Sequence, residues 1–306
     1  MAVKKEKYAV HPDFSILTHI RPSLNPKTLP LTQKTMRMLY YRERSDAAVR
    51  VERLTIPVTN GPDVLALLYT PKNTKTEGCL LDIHGGGYAF PAAPYHYALA
   101  RKYAVQASCQ VLFPDYRLAP GQPFPAAVQD CLAAYEWLLK HTASPIAVGG
   151  DSAGGTLSMA VTLMAIEEGL KVPCAQLLMY PSVGNCGETE SMRLYTDTAM
   201  CNTRDMETYG QMYVQDPDAG KLYWRSPIEA GSLAGTPPTY IETAEFDSLR
   251  DGALIYAEKL MELGIPAELH QTKGTLHGYD MVLKSPIVQD MVRRRTDFLR
   301  TAFTGQ

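Results

Sequence analysis

The sequence predicts an α/β fold: a mostly parallel central sheet flanked by helices, with a helical cap. Three observations predict it. From about position 78 onward, short β-rich runs alternate with longer helical patterns, which is how a parallel sheet with covering helices reads. The 306 residues are 45% hydrophobic and 20% charged, enough apolar surface for one large core and far from the signature of disorder. Two segments, 1–48 and 183–235, break the alternation, and an insertion of that length in an α/β core is usually a lid or a substrate-binding element.

The elements follow in order. Residues 1–48 carry the helical stretch "LTQKTMRMLYYRER" and form the first part of the cap. "RVERLTIPV" and "DVLALLYTP", separated by the turn signal "TNGP", predict an antiparallel hairpin at one sheet edge. "GCLLDIH" is an apolar run bounded by glycines and fits a buried strand. Its companions are "CQVLFPDY", "SPIAVGG", "CAQLLMYP", "PTYIETAEF" and "PAELHQTKG". Between them, "FPAAVQDCLAAYEWLLKH" places Val128, Cys131, Leu132, Tyr135, Leu138 and Leu139 at helical spacing. "AGGTLSMAVTLMAIEEG" and "LRDGALIYAEKLMELG" end at Gly169 and Gly264, suitable helix stops. A last helix runs from about 286 to 303 with arginines on its exposed side. The core is thus 49–182 plus 236–306, and the second cap segment is 183–235.

Composition excludes several functions. A net charge of −2 gives no broad basic field for a phosphate backbone, so no nucleic-acid partner is expected. Six cysteines lie scattered without CxxC pairs, which argues for free buried thiols in a reducing compartment and against a zinc or redox site. "MAVKKEKYAVHPDF" has basic residues but no apolar stretch after them, and no run reaches bilayer-spanning length; a cytoplasmic protein without membrane attachment is expected.

The chemistry sits in "GGDSAGG", 149–155. Gly150 to Gly154 satisfy GxSxG between an apolar strand and a helical pattern, the context in which a sharp turn lifts the serine over the carboxyl end of a sheet. Small residues at both glycine positions let the chain approach itself there, and the helix N-terminus favours a developing anion. "HGGGY", 84–88, supplies backbone N–H groups without side chains; Gly85 and Gly86, with Ala153, form the expected oxyanion hole. A nucleotide loop is excluded, because the run lacks the third glycine of GxGxxG. Among seven histidines, His277 in "GTLHGYD" follows the last strand on a glycine-bounded loop, whereas His270 lies inside that strand and His84 inside the glycine loop. Strand-end placement favours Asp247 over Asp251 as the acid, so the triad reads Ser152, Asp247, His277 in chain order.

With these residues the chain resembles the hormone-sensitive lipase family of α/β-hydrolases, small bacterial carboxylesterases with a GDSAGG elbow. "HGGG", "DYRLAP", "FPAA", "GDSAGG", "DSLRD" and "HGY" carry the resemblance, which spans roughly 50–303. Gly121 stands where the family commonly has glutamate, and Ser248 where proline is frequent. The resemblance implies an α/β-hydrolase fold, the same triad and oxyanion donors, a cap built from the two segments set aside, and compatibility with a homodimer through an edge strand. The expected reaction is hydrolysis of short-chain carboxylic esters, small-molecule substrates, through an acyl-enzyme without metal or organic cofactor. An amidase or peptidase on the same triad, or a non-catalytic binding protein on the same fold, are the alternatives. For the substrate pocket the candidates are Tyr88, Tyr209 and Tyr213, although the spacing of Met206, Tyr209 and Tyr213 equally suits a cap helix burying one face.

Overall fold

The computed structural model describes residues 8–59 and 61–305. The basic start of the chain, and Asn60 of the expected "TNGP" turn, lie outside the described residues. Eight strands form one sheet in the order β1-β2-β4-β3-β5-β6-β7-β8. They are β1 (Val49–Ile56), β2 (Val64–Pro71), β3 (Gly78–Ile83), β4 (Cys109–Pro114), β5 (Ile146–Asp151), β6 (Ala175–Met179), β7 (Thr239–Thr243) and β8 (Ala267–Gln271). The hairpin β1–β2 is antiparallel and lies at one edge, β2 joins β4 antiparallel, and every later pairing is parallel. Each strand expected from the sequence is present.

The central strands β3, β5, β6 and β7 are buried along their whole length because both faces of the sheet are covered. Leu80 and Leu81 on β3 point to opposite faces and enter different apolar clusters, as the two-residue period of a strand demands. On one face lie α2 (Pro94–Gln106) and α9 (Pro286–Thr304), with Tyr103, Val288 and Leu299 buried. The other face is covered by α3 (Ala126–His141), α4 (Ala153–Glu167) and α8 (Arg250–Glu262). Helix α2 is absent from the sequence reading; its Tyr97, Leu99, Ala100, Tyr103 and Ala104 mix aromatic and small residues without a clean apolar stripe. The described N-terminal segment holds α1 (Leu29–Arg37) and buries Phe14 and Leu17. The insertion after β6 holds α5 (Glu190–Leu194), α6 (Thr203–Tyr213) and α7 (Leu222–Arg225).

One expectation about α9 is corrected. Arg293, Arg294 and Arg300 face outward and pair with Asp290 and Asp297, but Arg295 is fully buried. Its guanidinium bonds Glu242 of β7 at 2.6 and 2.9 Å and Asp280 at 3.0 Å, while Tyr103 accepts a further N–H at 2.9 Å. A planar five-donor fork satisfies two carboxylates at once, which is why arginine is tolerated there. Cys79, Cys109, Cys131 and Cys201 are buried, Cys174 and Cys186 half-buried, and all six are free. Among the described residues no helix is long and apolar enough to cross a membrane.

Candidate active site

Strand β5 ends at Asp151 and α4 begins at Ala153, leaving Ser152 alone on the turn with φ 52° and ψ −119°. Few residues other than glycine adopt such a backbone, and here tight packing holds it. A Cβ on Gly154 would lie 1.9 Å from the Ile83 carbonyl oxygen, and one on Gly150 2.3 Å from the same atom, so both flanking positions must be glycine. The Ser152 N–H donates to the Met179 carbonyl at 3.0 Å, while its own carbonyl accepts from Gly155 and Ser182 at 3.0 Å. The elbow is thereby tied to β6.

Asp247 and His277 sit on the loops after β7 and β8. Immediately before them, Phe246 and Leu276 form an isolated parallel bridge that continues the pairing of the two strands and aligns the loops. Asp247 is fully buried; its Oδ1 accepts the Leu249 N–H at 2.9 Å and its Oδ2 lies 2.7 Å from His277 Nδ1. His277 Nε2 lies 2.9 Å from Ser152 Oγ. Burial opposes charge on this imidazole, but the carboxylate and hydrogen bond of Asp247 outweigh it, and the net pKa is raised above the usual histidine value. The three residues singled out in the sequence are therefore joined. The others lie elsewhere: Asp251 pairs with Arg250 and accepts the Ser191 N–H, and His270 pairs with Glu268. His84 Nδ1 bonds the Gly85 carbonyl at 2.7 Å, and burial drives its pKa down to about 3.

The glycine loop departs from expectation at one position. The N–H of Gly85 donates to Asp151 Oδ1 at 2.8 Å and is not free for a substrate oxygen. Gly86 and Gly87 adopt φ of 122° and 58°, conformations that favour glycine, and among the described residues no protein acceptor takes their N–H groups. Ala153 opens α4, so its N–H has no intrahelical acceptor. Spacing alone could not separate Gly85 from Gly87, because the carboxylate that occupies Gly85 arrives from another strand.

Above Ser152 lies a cavity of about 380 Å³. Ile20, Pro22 and Met36 of the N-terminal segment line it, together with Met200, Met206 and Tyr209 from the insertion, Tyr88 and Phe90 beside the glycine loop, and Met281. Of the three tyrosines singled out in the sequence, Tyr88 and Tyr209 line this cavity. Tyr213 does not: one helical turn beyond Tyr209, its ring stacks on the back of Tyr88 at 3.8 Å and meets Phe124 edge-on, supporting the wall without forming it.

The family model for the alpha/beta hydrolase fold matches residues 80–281. The chain belongs to the α/β-hydrolase fold family. Within it, this α/β-hydrolase is of the hormone-sensitive lipase type, as its HGGG and GDSAGG segments imply. It is 37% identical to carboxylic ester hydrolase LipN of Mycobacterium tuberculosis over 243 residues, 76% of this chain and 64% of LipN; the chain therefore spans less than two thirds of that relative. Esterase LipI of the same organism is 33% identical over 241 residues, 76% of this chain and 75% of LipI. Among solved structures, a bacterial heroin esterase superposes with a TM-score of 0.86 at 30% identity, covering 96% of this chain and 98% of that one. Among the described residues of this α/β-hydrolase, Cys201, Asp247 and His277 alone bring three ligand-type atoms within 4.8 Å of one another. Both imidazole nitrogens there are already engaged by Asp247 and Ser152, so a cation would have to break the relay.

Proposed function

We propose that this carboxylic ester hydrolase cleaves short-chain esters through an acyl-enzyme formed on Ser152. The observation that carries the reading is the unbroken relay of 2.7 and 2.9 Å from Asp247 through His277 to the serine hydroxyl. In this reading His277 Nε2 takes the hydroxyl proton as Oγ attacks the ester carbonyl, and Asp247 keeps the other ring proton on Nδ1 and stabilises the imidazolium. The N–H groups of Gly86, Gly87 and Ala153 hold the oxyanion. The alcohol leaves with the proton from His277, and water repeats the sequence on the acyl group. A cavity of about 380 Å³ is at the small end of ligand sites, which span roughly 300–1,000 Å³, and favours small esters over long acyl chains.

The test is Ser152→Ala on p-nitrophenyl esters from acetate to decanoate. Wild-type protein should prefer the short end, and the variant should lose kcat by roughly 10⁴-fold or more. Retained turnover in the variant would remove the serine from the reaction. An unreactive wild type that still bound ester analogues would point instead to a binding protein.

The pH profile follows from His277. Only the neutral imidazole can accept the serine proton, and Asp247 favours the charged form, so activity is lost as pH falls through a pKa above 6.5. The acid limb of kcat/KM against pH should therefore lie above that value; a limb below it would contradict the coupling.

A further inference from the structure

We propose that His96 and Asp151 act as a positioning pair that holds the oxyanion donors of Gly86 and Gly87 in register with Ser152. The inference rests on the assignment of those donors and adds the device that places them. Asp151 is the last residue of β5 and adjoins Ser152, so its backbone belongs to the nucleophile elbow. Its side chain belongs to the glycine loop. Oδ1 accepts the Gly85 N–H at 2.8 Å, Tyr95 donates its hydroxyl to Oδ2 at 3.2 Å, and His96 Nε2 lies 3.2 Å from each carboxylate oxygen. One carboxylate thus ties both ends of the loop from Gly85 to His96 to the residue beside the nucleophile.

The tautomer of His96 is dictated by its other nitrogen. Nδ1 accepts the Ala93 N–H at 2.9 Å, so it carries no proton; Nε2 carries it and donates to Asp151. Asp151 is buried, which works against its charge, but His96 and the Gly85 N–H outweigh this and hold its pKa below the usual carboxylate value. It is therefore an acceptor across the working range. There is no slack at this contact, since a Cβ on Gly85 would fall 2.3 Å from Asp151 Oδ2. Because an oxyanion donor acts only when aimed at the position the oxygen will occupy, a small shift of the loop acts on the transition state and spares substrate binding. Neither His96 nor the carboxylate of Asp151 needs to touch the reacting atoms.

Two amide variants separate the imidazole's two contacts. Gln at 96 places an N–H donor near the Nε2 position, and Asn places an acceptor near the Nδ1 position. His96→Gln, which retains the donor to Asp151, should keep kcat within about 3-fold. His96→Asn, which keeps only the acceptor for Ala93, should lower kcat by roughly 10–100-fold with KM within about 3-fold, less than the loss of a whole oxyanion donor. Affinity for a trifluoromethyl ketone, whose hemiketal oxygen occupies the hole, should fall in parallel with kcat. Wild-type kcat in His96→Asn, equal losses in the two variants, or a kcat loss with unchanged ketone affinity would each overturn the pairing. If His96→Asn does not fold, Tyr95→Phe removes another hydrogen bond to the same carboxylate and should lower kcat and ketone affinity together; no change in either would overturn the proposal. Retained turnover in Ser152→Ala would sink the underlying reading, whereas a dead Ser152→Ala beside a fully active His96→Asn sinks the positioning role alone.

Discussion

Asp247→Asn is expected to lower kcat/KM for p-nitrophenyl acetate by about 10⁴-fold while leaving the melting temperature nearly unchanged. The size follows from which way the new amide must face. Oδ1 of Asp247 accepts the Leu249 N–H, so the asparagine oxygen will keep that bond and its NH₂ will point at His277 Nδ1. That forces Nδ1 to be the acceptor and moves the ring proton to Nε2, facing Ser152. An imidazole in that tautomer cannot take the hydroxyl proton. Asp251→Asn supplies the contrast, because Asp251 is engaged by Arg250 and Ser191 and not by His277. It should keep kcat within a few-fold; the two variants compared by steady-state kinetics decide the acid, and near-equal losses would reject Asp247.

The second large effect is on stability. Arg295→Ala should destabilise the fold by about 3–5 kcal/mol, read as a fall in melting temperature of roughly 5–8 °C. Arg295, Glu242 and Asp280 are all fully buried, so removing the cation leaves two carboxylates facing each other without a counter-charge. Tyr180 and Tyr279 donate their hydroxyls to Asp280 and Glu242, and Tyr240 donates to Glu242 at 2.6 Å, but neutral donors do not replace a positive charge. Asp280 lies three residues beyond His277 and Glu242 five before Asp247, so the variant should also lose activity on heating earlier than the wild type. Arg295→Lys keeps the charge but offers no fork to span both carboxylates and should fall between the two. Calorimetry showing an unchanged melting temperature for Arg295→Ala would mean that the two buried carboxylates need no counter-charge from Arg295.

Local patterns carry far in this chain. The elbow is legible because a serine at positive φ needs small neighbours on both sides, and Gly150 and Gly154 are written beside it. The strands are legible because a sheet covered on both faces needs continuous apolar runs, and the edge hairpin because its turn chemistry is local. Helix α2 is not, since its contacts fall on Tyr97, Tyr103 and alanines that give no clean stripe. Arginines at 293, 294 and 295 look alike in sequence; only the approach of Glu242 and Asp280 from distant segments draws Arg295 inward.

By itself, then, the sequence determined which side chains could do the chemistry: a serine on a strand-to-helix turn, a histidine and an aspartate on loops after late strands, and a glycine run free of side chains. These are set by residue type and short spacing. The tertiary structure alone decided which backbone donors are free, since Asp151 takes the N–H of Gly85 and leaves those of Gly86 and Gly87. It alone put Tyr213 behind Tyr88 instead of in the cavity. Hydrogen bonds and ring contacts between elements depend on how the strands and helices are placed in space, and no short stretch of chain encodes that placement.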